Sequence, residues 1–429
     1  MLSRLALVLL ALAGSGGVLG GFPGPAEAKV VDVRTYATCS GASDDTQGLQ
    51  RALDELSPGD SLHVAKGRDC GHSDVIWIRN AGVRLMGPGT ITATNESRSA
   101  VTIAADDVTV ENLRLRMAAT TRRWDAYEQM KLRVAGHARA VIRKVTVDGA
   151  AAAGIFVGNA ASDYLIEDVT VSNTRADGIH NTDGASNGII RRPTLRNTGD
   201  DGVAVVSYES DQRVVHHVRV ESPRFYGNTW GRAYAVVGGE DIQYLDVYAE
   251  SSNAAGIYVA AEGHPYYTFA PRRIRVSGGL LKRSNTNPGV DHGAVLIYNG
   301  RPGYRVANVI IDDLAVEDTR STASRQIGVF GDDGASFAAL TLSQLRVTGG
   351  GSPMWATNAP STAFDEISIS SADTALASGS MTPMALGQSA LPRGRRSRAV
   401  VRTRRGQRSK RRATASPRRG MRQHRVAGL

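Results

Sequence analysis

The chain has 429 residues, 51 Lys and Arg against 41 Asp and Glu, and only two cysteines. The formal charge of +10 is a property of one end: the stretch from Arg393 to Leu429 holds 15 Arg or Lys and no acid, and without it 36 bases stand against 41 acids, a net of −5. The composition excludes a disulfide scaffold or a Cys-rich metal site, and the charge does not mark the body as a nucleic-acid binder.

Taken in chain order, Met1 to Ala28 reads as a secretory leader. Arg4 gives the positive start, Leu5 to Leu12 the apolar stretch, and Ala26-Glu27-Ala28 the small-x-small cleavage site. Cys39 and Cys70 follow, and an oxidising compartment favours a disulfide between them over two buried thiols. Gly41 to Leu56, GASDDTQGLQRALDEL, sets Leu49, Ala52, Leu53 and Leu56 on one helical face behind Ser, Asp and Thr suited to an N-cap, and Pro58-Gly59 ends it. Strand-like runs follow at Val83 to Met86, Ile91 to Ala93, Val101 to Ile103, Val108 to Leu113 and Val141 to Val147, and the same texture continues from Ile310 to Val347. Beyond Ser370 the pattern fades. We expect one solenoid domain over 29–372, a linker over 373–392 and a disordered basic tail over 393–429.

The central block repeats. NTGDDGVAVV, Asn197 to Val206, recurs as NTWGRAYAVV, Asn228 to Val237, and NTRADGIH at Asn173 to His180 precedes both. Glycines open apolar runs at Gly154, Gly178, Gly202, Gly256 and Gly293; the first three are evenly spaced, and Ala233 takes the equivalent place in the NTWGRAYAVV copy. A period in the twenties, built of short Val/Ile-rich runs divided by Gly, Asn and Asp, predicts an all-β parallel β-helix with the amphipathic helix as its N-terminal cap. Equivalent positions then stack at about 4.8 Å, so the position before each glycine forms a column: Asp177, Asp201, Arg232, Ala255, His292. Stacked carboxylates repel, which argues for chemistry rather than stability.

The cap segment GASDDTQGLQRAL resembles the start of many pectin-active, pectin lyase-like β-helix proteins, and the central block resembles the polygalacturonases, glycoside hydrolase family 28, as a distant branch. That family's Asp followed by Gly-Ile matches Asp177-Gly178-Ile179, and its Gly-Asp-Asp matches Gly199-Asp200-Asp201. The period sets Asp177 over Asp201, so Asp177 and not Asp183 takes the family's first catalytic position. Gly-His-Gly falls on Gly231-Arg232-Ala233 and Arg-Ile-Lys on Gly256-Ile257-Tyr258, losing the residues associated with gripping a galacturonate. The resemblance implies a right-handed β-helix that acts on a polysaccharide.

Glycoside hydrolysis needs one protonated carboxyl and one ionised carboxylate. Asp177, Asp200 and Asp201 supply them, with Asp200 as general acid and the other two polarising water in an inverting scheme; the bland alternative is that Asp200 and Asp201 cap a turn. His180, Arg232, Tyr258, Glu262 and His292 are the candidate substrate-binding residues, with Trp230 a further sugar platform and Tyr208, Glu209 and Asp211 at a rim. No cofactor is expected in a hydrolase. Two other readings stay open: a lyase or uronate epimerase using calcium on the acids and Arg232 as base, and a non-catalytic glycan-binding wall protein. The expected setting is a secreted or wall-associated monomer with no transmembrane segment, its tail on an anionic polymer and no specific nucleic acid partner.

Overall fold

The computed structural model describes residues 27–371. The expected leader apart from its last two residues, the linker and the basic tail lie outside the described residues. Within them are 32 strands, one α-helix and five short 3-10 turns, wound as a right-handed parallel β-helix. Every pairing between these strands is parallel, the exception being an isolated antiparallel bridge between Tyr208 and Thr268. No helix among the described residues is long and apolar enough to cross a membrane.

One sheet has eleven strands, one per coil, from Ile76–Ile78 to Trp355–Thr357. Its inward column runs through Ile155, Ile179, Val203, Tyr234, Ile257 and Val295, each paired in register with the next. Each copy of the repeat seen in the sequence is thus a single coil. The last of these steps, from Ile257 to Val295, is the longest. These six side chains are no more than 1% exposed, and burial of each apolar residue contributes about 1.5–3 kcal/mol. Buried tyrosines find partners: the Tyr164 hydroxyl donates to Asn181 Oδ1 at 2.8 Å and that of Tyr234 to the Tyr248 carbonyl at 2.6 Å.

One step of the expected column fails. Ile257 registers with Val295, which sets Gly256 against Ala294 rather than Gly293, so His292 does not continue the line of Asp177, Asp201 and Arg232. The long coil between those two strands inserts extra chain and changes the phase.

The run expected as one strand over Val141 to Val147 is two, Val141–Arg143 and Thr146–Ala150, because Lys144 adopts a left-handed φ of 53°. Its stacked equivalents Asn112, Asp168, Arg192, Ser222 and Asp246 do the same, with φ between 47° and 53°. A left-handed residue in each coil makes a corner, at a cost that Asn and Asp bear most easily. Just before this corner, Glu111, Arg143, Glu167, Arg191 and Glu221 stack with alternating charge, Arg143 meeting Glu111 at 2.5 Å and Arg191 meeting Glu221 at 2.7 Å.

The cap helix spans Thr46–Asp54 and buries Leu49, Ala52 and Leu53 over the first coils. Asp45 stands at its N-cap without capping it. Its carboxylate instead accepts from the backbone N–H groups of Thr38, Cys39 and Gly71 at 3.0–3.2 Å, tying the helix entry to the next coil. Gly48 is required because a Cβ there would lie 2.3 Å from the Tyr36 carbonyl oxygen.

Cys39 and Cys70 are bonded, a sequence separation of 31, beside Asp45. A loop of that length restricts the unfolded chain by about 3–4 kcal/mol. We expect Cys39→Ser/Cys70→Ser to raise amide exchange between positions 30 and 72 first, while the Asp177–Glu262 coils keep their protection; uniform loss of protection along the solenoid would count against this.

Candidate active site

The Asn-Thr pair in each repeat builds the turn that presents the acids. The Thr174 hydroxyl donates to the Ala176 carbonyl at 2.6 Å, and Thr198 does the same to the Asp200 carbonyl at 2.8 Å. From the next coil, the Asn228 side-chain amide donates to the Asp200 carbonyl at 3.0 Å. Two glycines allow close approach. A Cβ on Gly199 would come within 2.2 Å of the Arg175 backbone, and one on Gly231, whose φ is +78°, within 2.2 Å of Asp200 Oδ1. The Gly in Gly-Asp-Asp and the Gly before Arg232 are therefore both steric requirements of the acid cluster.

Asp177, Asp200 and Asp201 converge as expected, each offering an oxygen within 4.8 Å of the others. Among the described residues they are the one such group of three, an oxygen set that suits a hard cation. Protein groups already supply the countercharge. His180 Nδ1 lies 2.5 Å from Asp177 Oδ2, the Asp201 N–H donates to Asp177 Oδ1 at 2.9 Å, and the Arg232 N–H donates to Asp201 Oδ1 at 2.6 Å. Arg123 Nη1 meets Asp200 Oδ2 at 2.6 Å, while Asp200 Oδ1 is buried without a partner.

These surroundings separate the three groups. Burial pushes Asp177 up, but the bond to His180 and the charges of His180 and Arg123 bring it below the usual carboxylate range. Burial and the Asp177 charge raise Asp200, against the pull of Arg123 and Arg232. Burial, with the Asp200 and Asp177 charges, raises Asp201 well above its ordinary value despite Arg232. One carboxyl held ionised beside two held toward the neutral form is the division of labour that acid–base catalysis requires.

His180 faces outward in its strand and stacks on Phe156 from the preceding coil, ring centroids 5.5 Å apart. Glu262 is close, but its role is to hold Arg232: Arg232 Nη2 donates to Glu262 Oε1 at 2.6 Å. Tyr258 and His292 depart from the expectation of substrate contact. Tyr258 is 4% exposed, with Arg232 over its ring at 4.0 Å and His292 stacked on it at 5.2 Å. Tyr258 is thereby taken up by Arg232, while His292, stacked on Tyr258, keeps part of its surface exposed. Burial, with the Arg232 and Arg325 charges, lowers His292 to about 3, so it stays neutral there.

Asp183 stands apart, accepting from the Asn159 amide at 3.1 Å, so the choice of Asp177 over Asp183 agrees with the geometry. Glu209 is taken up by Arg301 at 2.9 Å and by the Tyr304 hydroxyl. Sequence reasoning missed Arg123, which lies far upstream of Asp200 in the chain yet reaches the cluster. Its one signal was the TTRRWDAYEQ stretch between strand-like runs, in an extended coil between Val101 and Leu132. Trp230 and Tyr267 are exposed rings, and Arg133 lies over the exposed Tyr127 ring at 3.9 Å.

Residues 83–278 match the family model described as alpha-1,3-glucanase catalytic domain D2, a segment somewhat under half of the chain that contains every residue of the acid cluster. No curated protein matches. Among solved structures, the catalytic unit of a thermostable family 87 alpha-1,3-glucanase from Streptomyces thermodiastaticus strain HF3-3 is similar at 19% identity and a TM-score of 0.58, over 81% of this chain and 68% of that one. A family 87 alpha-1,3-glucanase catalytic domain in complex with nigerose is similar at 15% identity and 0.60, over 82% and 67%. PfbA, a surface adhesin of Streptococcus pneumoniae, shares the fold at 10% identity and 0.56, over 80% and 90%. The matched family corrects the resemblance to polygalacturonases, whose substrate-gripping residues this chain lacks. The chain is a glycoside hydrolase on a right-handed β-helix, and the family model it matches is that of an alpha-1,3-glucanase rather than of a pectin-active enzyme.

Proposed function

We propose that the protein hydrolyses α-1,3-glucosidic bonds of a neutral glucan, with Asp200 as general acid. The observation that carries this is the acid cluster itself. Alpha-1,3-glucanase domains have been solved with single Asp→Ala substitutions at three positions, two of them adjacent and the third upstream by the same interval that separates Asp177 from Asp200. A neutral substrate also suits the charge balance: Arg232 is held by Glu262 and Asp201, and Arg123 by Asp200, leaving neither guanidinium free to grip a uronate.

Asp200 is the best-exposed of the three, its side chain 17% accessible against 10% for Asp177 and 7% for Asp201, which favours it as the carboxyl that meets the leaving oxygen. Asp177, kept ionised by His180, takes the proton of the attacking water. Asp201 is pushed furthest toward its neutral form, yet it is the deepest; its place is to orient that water beside Asp177. The oxygen spacing of at most 4.8 Å is shorter than the roughly 6.5–9.5 Å between carboxyls of many inverting enzymes. Inversion requires the attacking water and the leaving oxygen to lie on opposite faces of the anomeric carbon, so Asp177 and Asp200 must address the two faces from within this short spacing. No resident metal is needed. We further read the protein as exported and monomeric, with the basic 393–429 tail holding it on an anionic wall polymer.

Reducing ends should appear from α-1,3-glucan and not from polygalacturonate, with or without chelator, and Asp200→Asn should lower kcat by about 10²–10⁴. Chelator-sensitive unsaturated uronate would make it a lyase, and binding without cleavage would make it a glycan-binding protein. Proton NMR of early product should show the β-anomer; α-anomer would replace the inverting scheme with a covalent intermediate on Asp177 or Asp201. Activity needs Asp177 ionised and Asp200 protonated. The kcat/KM profile should therefore rise with pH through a value below the usual carboxylate range and fall through one above it, and the falling limb should vanish in Asp200→Asn.

A further inference from the structure

Resting on the glucanase reading of the acid cluster, we propose that Tyr208 and Tyr266 are substrate-binding residues, two phenol donors beside the acids that hold hydroxyl groups of the glucosyl unit being cleaved.

The two residues lie on short loops laced together at one side of the eleven-stranded sheet. Tyr208 follows strand Val203–Val206 and makes the antiparallel bridge to Thr268. On either side of it, the Glu209 N–H donates to the Tyr267 carbonyl at 2.9 Å and the Phe269 N–H to the Ser207 carbonyl at 3.0 Å. The second loop is closed at its base. The Thr268 N–H donates to the Glu262 carbonyl at 3.0 Å, and the Thr268 hydroxyl accepts from the Glu262 N–H at 2.8 Å. The Tyr266 N–H donates to the Gly263 carbonyl at 2.9 Å, and a Cβ on Gly263 would lie 2.7 Å from the Gly300 carbonyl oxygen. Arg301 braces both loops, donating to the Thr268 carbonyl at 3.2 Å and to Glu209 Oε1 at 2.9 Å.

The backbone around both rings is thus fixed, which is the pre-organisation a binding site needs. The rings themselves are half-buried, and neither hydroxyl bonds another described residue. Tyr208 packs on the outward cluster of Ala204, Val206, Ala235, Val237 and Tyr258. Ala204 and Ala235 fall in register between His180 and Tyr258, so two small residues leave room for this ring on the sheet beside the acids. Burial, with the charges of Asp177, Glu262 and Asp200, raises the Tyr208 phenol. Burial, with those of Glu262 and Asp200, raises the Tyr266 phenol against the pull of Arg123 and Arg232. Both stay protonated within electrostatic reach of the cluster. A phenol there gives a hydrogen bond to a neutral sugar hydroxyl at no cost in charge, whereas a uronate would bring one more carboxylate to a site that already holds three.

Tyr208→Phe and Tyr266→Phe remove only hydroxyls that bond nothing in the protein, so the melting temperature should not change. In an Asp200→Asn background, which leaves the sugar intact, each should raise the Kd of α-1,3-glucotetraose about 2–12-fold, as expected for one lost hydrogen bond. With Asp200 in place, kcat/KM should fall by a similar factor while both limbs of the pH profile stay at their parent positions. For each phenol, one monodeoxy form of the tetrasaccharide should bind the Asp200→Asn protein as weakly as the intact sugar binds the Phe variant, and the two losses should not add. An unchanged Kd, or losses that add on every monodeoxy form, would overturn the proposal; weaker binding with a lowered melting temperature would make the hydroxyls structural and overturn it too. If the Asp200→Asn protein does not bind the tetrasaccharide at all, the glucanase reading itself fails, and this assignment with it.

Discussion

The parallel ladder between coils is the constraint from which the rest follows. Register at about 4.8 Å per coil sets Asp177 level with Asp201, one strand apart, whatever the side chains would prefer. Free carboxylates at that spacing would separate into solvent. Here the backbone cannot yield, since the Asp201 N–H itself bonds Asp177 and the inward Ile179 and Val203 are locked in the core. Electrostatic strain is thus imposed by a scaffold whose stability is distributed over many coils.

Three groups make the arrangement tolerable, each from a different source. His180 comes from the same coil as Asp177, Arg232 from the coil after Asp201, and Arg123 from an upstream segment. Their unequal reach is what separates the carboxyls. Asp177 has the imidazole and stays ionised; Asp201 has burial on every side and leans toward neutrality. Arg232 needs its own support, and Glu262 and Tyr258 supply it. Of the residues read as a sugar-binding surface, Tyr258 is buried beneath Arg232.

The fold and the acid cluster were legible because a solenoid turns sequence period into stacking. The even step through Gly154, Gly178 and Gly202 alone picks Asp177 over Asp183. The rest was hidden for physical reasons. Left-handed corners fall on Lys144 and Arg192, which carry no turn signature, so two strands read as one. The long coil between Ile257 and Val295 breaks the phase and misplaces His292 by one position. Arg123 reaches Asp200 through a non-local contact that no column contains. The spacing of Asp177 from the Asp200-Asp201 pair pointed to a glycoside hydrolase without singling out a family, and the family model that matches 83–278 is that of an alpha-1,3-glucanase.

The alternating stack of Glu111, Arg143, Glu167, Arg191 and Glu221 has little to offer as ion pairs still partly open to solvent, which are individually weak. Its value lies in what it forbids. Neighbouring coils share inward Val, Ile and Leu side chains, so a nascent coil docked on the wrong predecessor would find an acceptable core. Skipping one coil in this column, however, sets Glu on Glu or Arg on Arg along the corner. Over these five coils, a chain assembling turn by turn thereby carries a parity check on the outside of the molecule.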